Sequence, residues 1–87
     1  MNPFLGPVWE EIRKIQAHPA ERPDPEWRLG ADLHLPSMAW IRLMGRLRQR
    51  YPGVPLPFEK LLANADGTWR SDLRLIELAD FLGEHVP

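Results

Sequence analysis

The chain has 87 residues, 44% of them hydrophobic, and a formal net charge of −1 from 11 basic and 12 acidic side chains. That length suits one domain, spanning 1–87 with its core from about Val8 to Val86, and is too short for two. Near-neutral charge argues against nucleic-acid and anionic-membrane partners, and the lack of cysteine excludes disulfides, thiolate metal sites and a thiol nucleophile.

No apolar run approaches the roughly 20 residues of a membrane span. Met1 to Pro7 lack the basic start and long apolar stretch of a secretory signal. The expectation is a soluble, cytoplasmic monomer. A core of this size leaves about 3–5 kcal/mol of net stability. That leaves little room for a catalytic cleft with its own supporting shell, so a binding or carrier module is expected rather than an enzyme.

Ten prolines and six glycines divide the chain into short pieces. The spacing predicts a first helix from about Pro7 to His18, with Val8, Ile12 and Ile15 as its apolar stripe and Trp9 at the border. Pro7 suits a first turn, Glu10 and Glu11 complement the N-terminal end of the dipole, and Pro19 stops the helix. Ala20 to Pro36 reads as a long loop. Loops of that length are functional or held down by their own side chains, and Trp27, Leu29, Leu33 and Leu35 are the candidates for holding it.

A second helix is expected from Ser37 to Arg50. Trp40, Leu43, Met44 and Leu47 share one face, widened by Ile41; Met38, Arg42, Gly45, Arg46 and Gln49 take the other. Arg48 lies nearer the apolar side and can snorkel along it. A short helical turn follows over Pro57 to Leu62, then a turn at Asn64 to Gly67. A last helix runs from Leu75 to His85, its stripe made of Leu75, Leu78, Ala79, Leu82 and Val86. No segment alternates as a strand does. The fold class is all-α: a small four-helix bundle, three helices longer and one short, with a long first loop.

The stretch Leu29-Gly30-Ala31-Asp32-Leu33-His34-Leu35-Pro36-Ser37-Met38 leads into the second helix. It resembles the signature of acyl and peptidyl carrier proteins, in which a Leu-Gly-x-Asp-Leu-Gly-Leu-Asp-Ser-Leu type segment precedes that helix. Leu29, Gly30, Asp32, Leu33, Leu35 and Ser37 match, with Met38 for leucine, His34 for glycine and Pro36 for the usual acid. Pro57 to Leu62 and Leu73 to Leu82 fall where the family has its short third helix and the start of its last. The resemblance covers nearly the whole chain and implies an acyl-carrier-protein-like bundle. It implies 4′-phosphopantetheine as a covalent cofactor on Ser37, installed by a phosphopantetheinyl transferase, with a thioester-bound acyl or aminoacyl group as cargo. It also implies no catalytic residue, because a thiol on a long arm needs none from its carrier. A helix N-terminus, with unpaired N–H groups, favours a phosphate ester at that place.

Other roles remain open. Serine is among the best N-caps, so Ser37 is also a candidate for that. Met38, Arg42, Gly45 and Arg46 form a candidate partner-binding face. Its basic character implies loading and downstream enzymes with acidic or apolar docking surfaces. The arginines also suit a small DNA-binding helix, against which the net charge argues. Trp27 and Trp69 suit covers for the core ends, and His18, His34 and His85 lack metal-ligand spacing. Pro36 supports an alternative in which the scaffold is only a protein-interaction module, never carrying the arm.

Overall fold

A computed structural model describes residues 2–87; the expected domain begins at Met1, which lies outside the described residues. Four helices follow in order: α1 (Leu5–Ile15), α2 (Ser37–Arg50), α3 (Phe58–Leu62) and α4 (Leu75–His85). α1, α2 and α4 have 11, 14 and 11 residues, whereas α3 has five. Among the described residues no strand forms, only isolated bridges between Arg28 and Arg74 and between Ala63 and Trp69. This is the small all-α bundle expected from the spacing of apolar residues.

α1 packs against both α2 and α4. Val8 and Ile12 from α1, Leu43 and Leu47 from α2, and Leu75, Leu78 and Leu82 from α4 are essentially fully buried together. Each such side chain contributes roughly 1.5–3 kcal/mol of transfer free energy. The long loop is held as anticipated: Leu29, Leu33 and Leu35 are buried in the same core. Trp27 is half-buried and lies against Trp9, with ring centroids 5.5 Å apart.

α1 is displaced from the expected Pro7–His18. Asn2 Oδ1 accepts the Phe4 N–H at 2.8 Å and the Phe4 carbonyl accepts the Val8 N–H at 3.0 Å, so the helix starts ahead of Pro7. It ends early because Gln16 turns extended (φ −142, ψ 120). The Gln16 Nε2 then donates to the Leu33 carbonyl at 2.8 Å, tying the helix end to the long loop. His18, disfavoured as helix by the following proline, accepts the Ala20 N–H on Nδ1 at 3.1 Å and lies between Trp9 and Trp27.

With that start, the first turn of α1 carries no acid. Glu10 and Glu11 sit one turn later and face α2 instead of complementing the dipole. Glu11 is 4% exposed, and its carboxylate accepts Arg46 Nε at 2.9 Å and Arg50 Nη1 at 2.8 Å, with Lys14 Nζ at 3.3 Å. Glu10 also pairs with Arg50, at 2.9 Å. Arg48 lies over the Phe58 ring, 5.0 Å from its centroid, and donates to the Leu56 carbonyl, as its snorkelling position implied.

A buried charge stripped of its partner is costly, but here the side chains of Arg46 and Arg50 remain 40% and 32% exposed and can turn to water. Glu11→Ala is therefore expected to lower unfolding free energy by roughly 1–2 kcal/mol, below the full cost of breaking a buried pair. Denaturant melts of the variant and the parent measure the difference.

Candidate functional site

The approach to α2 is built by hydrogen bonds that fold Leu29 to Leu35 into a tight turn. The His34 N–H donates to the Gly30 carbonyl at 3.0 Å and the Leu35 N–H to the Leu29 carbonyl at 2.9 Å. Closing that turn puts His34 in the left-handed region, φ 55. Glycine is the ordinary occupant of such a position; histidine accepts it at a modest cost.

Pro36 follows as the N-cap residue of α2, extended (φ −71, ψ 165), and its carbonyl accepts the N–H groups of Ala39 at 2.8 Å and Trp40 at 3.2 Å. No side chain caps this end. Ser37 is thus the first helical residue rather than the N-cap. It is exposed, and among the described residues its hydroxyl has no hydrogen-bond partner. The capping role open to it from sequence is not the one it takes.

Ser37 lines an open groove of about 690 Å³ walled by Leu35, Trp40, Ile41, Leu62 and Trp69, to which Arg70 and Ser71 also contribute. Three side chains differ from expectation here. Ile41 is 66% exposed instead of extending the buried stripe, because the core side of α2 is already closed by Ala39, Leu43 and Met44. Trp69 is also 66% exposed and covers no core end. It sits on a hairpin-like excursion after α3, where the Arg70 N–H donates to the Leu62 carbonyl at 2.7 Å and Gly67 turns the chain at φ 87. Trp40, expected in the core, is half-buried on the groove, its Nε1 donating to the Leu35 carbonyl at 3.1 Å.

The residues of the expected docking face are not all together. Met38 is beside Ser37 and 70% exposed. Arg42, Gly45 and Arg46 line a separate shallow basin of about 280 Å³ with Lys14, Ile15 and Gln49. Arg46 is nine residues from Ser37, about 13 Å along the axis. Its guanidinium is held by Glu11, so it is not the free cation that the run of arginines suggested. The acids that neutralise α2 come from α1, which the local sequence around Arg42 to Arg50 does not reveal. Arg42 remains exposed and without a carboxylate within ion-pair distance among the described residues.

Asp72, which the sequence did not single out, ties the turn before Ser37 to the start of α4. Its Oδ1 accepts the Gly30 N–H at 2.9 Å and the Leu73 N–H at 2.8 Å, and its Oδ2 accepts the Ala31 N–H at 2.9 Å. A β-carbon on Gly30 would meet that carboxylate at 3.2 Å, so a side chain there would have to push the Asp72 carboxylate slightly aside. Burial pushes the Asp72 pKa up, but the N–H groups of Gly30, Leu73 and Ala31 and the charge of Arg28 outweigh it and hold it below its ordinary value. Glu77 behaves alike: burial raises it, and Arg70 and the N–H and guanidinium of Arg74 bring it down. So does Glu11, lowered by Arg50, Arg46 and Lys14 against burial.

Among the described residues no group of three or more His, Asp or Glu side chains is placed to hold a metal ion, and no helix is long and apolar enough to cross a membrane. Comparison with known proteins finds no matching family model, no matching curated protein and no matching solved structure.

Two predictions come from this geometry. His34→Gly should stabilise the fold by up to about 1 kcal/mol, since a left-handed non-glycine residue carries a penalty that glycine lacks. His34→Val, β-branched in the same conformation, should destabilise it; paired chemical denaturation curves give both signs. Depression of Glu11, Asp72 and Glu77 also sets a pH dependence. Each contributes stability above its ordinary pKa, 4.5 for Glu11 and Glu77 and 3.8 for Asp72, and loses it as pH falls through the lower folded value. The melting temperature should therefore drop on acidification below 4.5, and the drop should be shallower in Glu11→Gln.

Proposed function

We propose that this protein is a stand-alone carrier that holds an acyl or aminoacyl group as a thioester on 4′-phosphopantetheine attached to Ser37. The observation that carries this reading is the Ser37 hydroxyl: exposed at the first turn of α2, released from capping and opening onto a largely apolar groove. The left-handed backbone at His34 adds support, because the carrier signature it resembles has glycine at that place. In the modification step Ser37 Oγ loses its proton and forms a new P–O bond, the pyrophosphate linkage of coenzyme A breaks, and adenosine 3′,5′-bisphosphate leaves. The protein supplies no catalytic residue to that step. On this reading the partners are a cytoplasmic phosphopantetheinyl transferase and a set of loading and downstream biosynthetic enzymes. Met38, Ile41 and Arg42 offer them an apolar surface with one uncommitted cation.

A second reading, an interaction module that never takes the arm, is favoured by Pro36. It occupies the place of the acid that assists modification in the family, and Met38 and Ile41 remain exposed beside it. One experiment separates the two. The protein is incubated with coenzyme A and a broad-specificity transferase and weighed by intact-mass spectrometry. The carrier reading expects a gain of one phosphopantetheine that Ser37→Ala abolishes. No gain with several transferases, or a gain that survives Ser37→Ala, overturns it.

A further inference from the structure

Beyond Ser37, the groove runs into a second recess. Arg70 and Ser71 line both the groove and a polar pocket of about 450 Å³ whose walls also include Arg28, Asp72, Arg74 and Glu77. The pocket holds three guanidinium groups and two carboxylates. Neither carboxylate forms an ion pair with Arg28, although the Arg28 charge acts on Asp72 from a distance. Asp72 has both oxygens engaged by the N–H groups of Gly30, Ala31 and Leu73. Glu77 is shared, with Oε2 on Arg70 and Oε1 on Arg74. Arg74 is further tied to Glu26 at 2.7 Å. Arg28 makes no ion pair among the described residues. A guanidinium offers five donors in a planar fork suited to a carboxylate, and the ion pairs formed by Arg70 and Arg74 use only some of theirs. With Glu26 counted, the charges around the pocket balance, and what the pocket offers is one guanidinium outside any ion pair, Arg28, together with unspent donors beside the apolar groove.

We propose that this arginine pocket receives the free carboxylate of an acidic acyl group, one with a second carboxyl at its far end, whose chain lies in the groove between Trp40 and Trp69. The proposal rests on the carrier reading and specifies its cargo: an acyl chain apolar along its length and anionic at its tip. A neutral acyl chain fills the groove but leaves Arg28 unpaired.

The test uses two cargoes of nearly equal shape, succinyl and isocaproyl, which differ in the terminal carboxylate. Each is loaded onto Ser37 from its coenzyme A thioester by the transferase, and amide and arginine side-chain ¹⁵N spectra are recorded. Both should move the indole signals of Trp40 and Trp69; only succinyl should move Arg28, Arg70 and Arg74. In parallel, free succinyl-pantetheine is titrated into the unmodified protein, where Arg28→Gln should weaken binding about threefold, the size of a solvent-exposed ion pair. Arg28 is the residue to change because its side chain makes no hydrogen bond and no ion pair among the described residues. Identical responses to succinyl and isocaproyl, an Arg28→Gln variant that binds as the parent does, or acetate competing as well as the thioester would each overturn the proposal. If Ser37 takes no arm, the carrier reading fails by itself, and the titration with free thioester still decides the pocket.

Discussion

The structure depends on a clasp between the end of the long first loop and the segment entering α4. The Leu29 N–H donates to the Leu73 carbonyl and the Leu75 N–H to the Trp27 carbonyl, both at 2.9 Å, around the bridge from Arg28 to Arg74. Asp72 adds the N–H groups of Gly30 and Ala31 on one side, and the Pro25 carbonyl accepts the Ile76 N–H on the other. Without these bonds the loop would be free, and its entropy would oppose folding. With them, Leu29, Leu33 and Leu35 are delivered to the core, and the chain arrives at Pro36 in one direction. The start of α2, and so the position of Ser37, follows from a contact more than forty residues away in the chain.

The second constraint lies between α1 and α2. A run of four arginines over Arg42 to Arg50 reads as a basic face when the helix is taken alone. In the fold, Glu10 and Glu11 take up Arg46 and Arg50, and Arg48 turns along Phe58. The charge thus serves the helix pairing first. Only Arg42 of this run is left for an outside partner, which makes the exposed face more apolar than basic. Docking through Met38 and Ile41 would then rest on shape and apolar contact, with charge as a minor term.

What could be read ahead of the structure follows physical range. α2 and α4 were legible to the residue because their apolar positions recur at helical spacing and the prolines and turn residues around them act locally. The start of α1 was not, since it depends on Asn2 and Phe4 rather than on Pro7. Ile41 and Trp69 were misplaced because periodicity says which side of a helix is apolar but not how far a small core extends around it. Asp72 was invisible for a different reason. Nothing in Ser71-Asp72-Leu73 announces that its carboxylate closes a turn forty-two residues upstream. Ser37 itself was legible as the start of α2, but the separation of cap from first helical residue came only from the backbone, which makes Pro36 the capping residue.

That separation bears on how a site of this kind is built. A serine that caps a helix has its oxygen committed to the N–H groups of the first turn. To leave the hydroxyl free, the cap must be some other residue, and proline is well suited: its ring fixes φ, and it brings no side-chain oxygen that would compete. The N–H groups of Ser37 and Met38 then stay without a carbonyl partner among the described residues, pointing along the axis toward any anion placed on the serine oxygen. The absent acid at Pro36 removes a negative charge from the same spot. On the proposed carrier reading, a phosphate ester on Ser37 would meet open donors and no repelling carboxylate at the residue before it, so Pro36 would favour holding the modified state even where it removes a handle for making it.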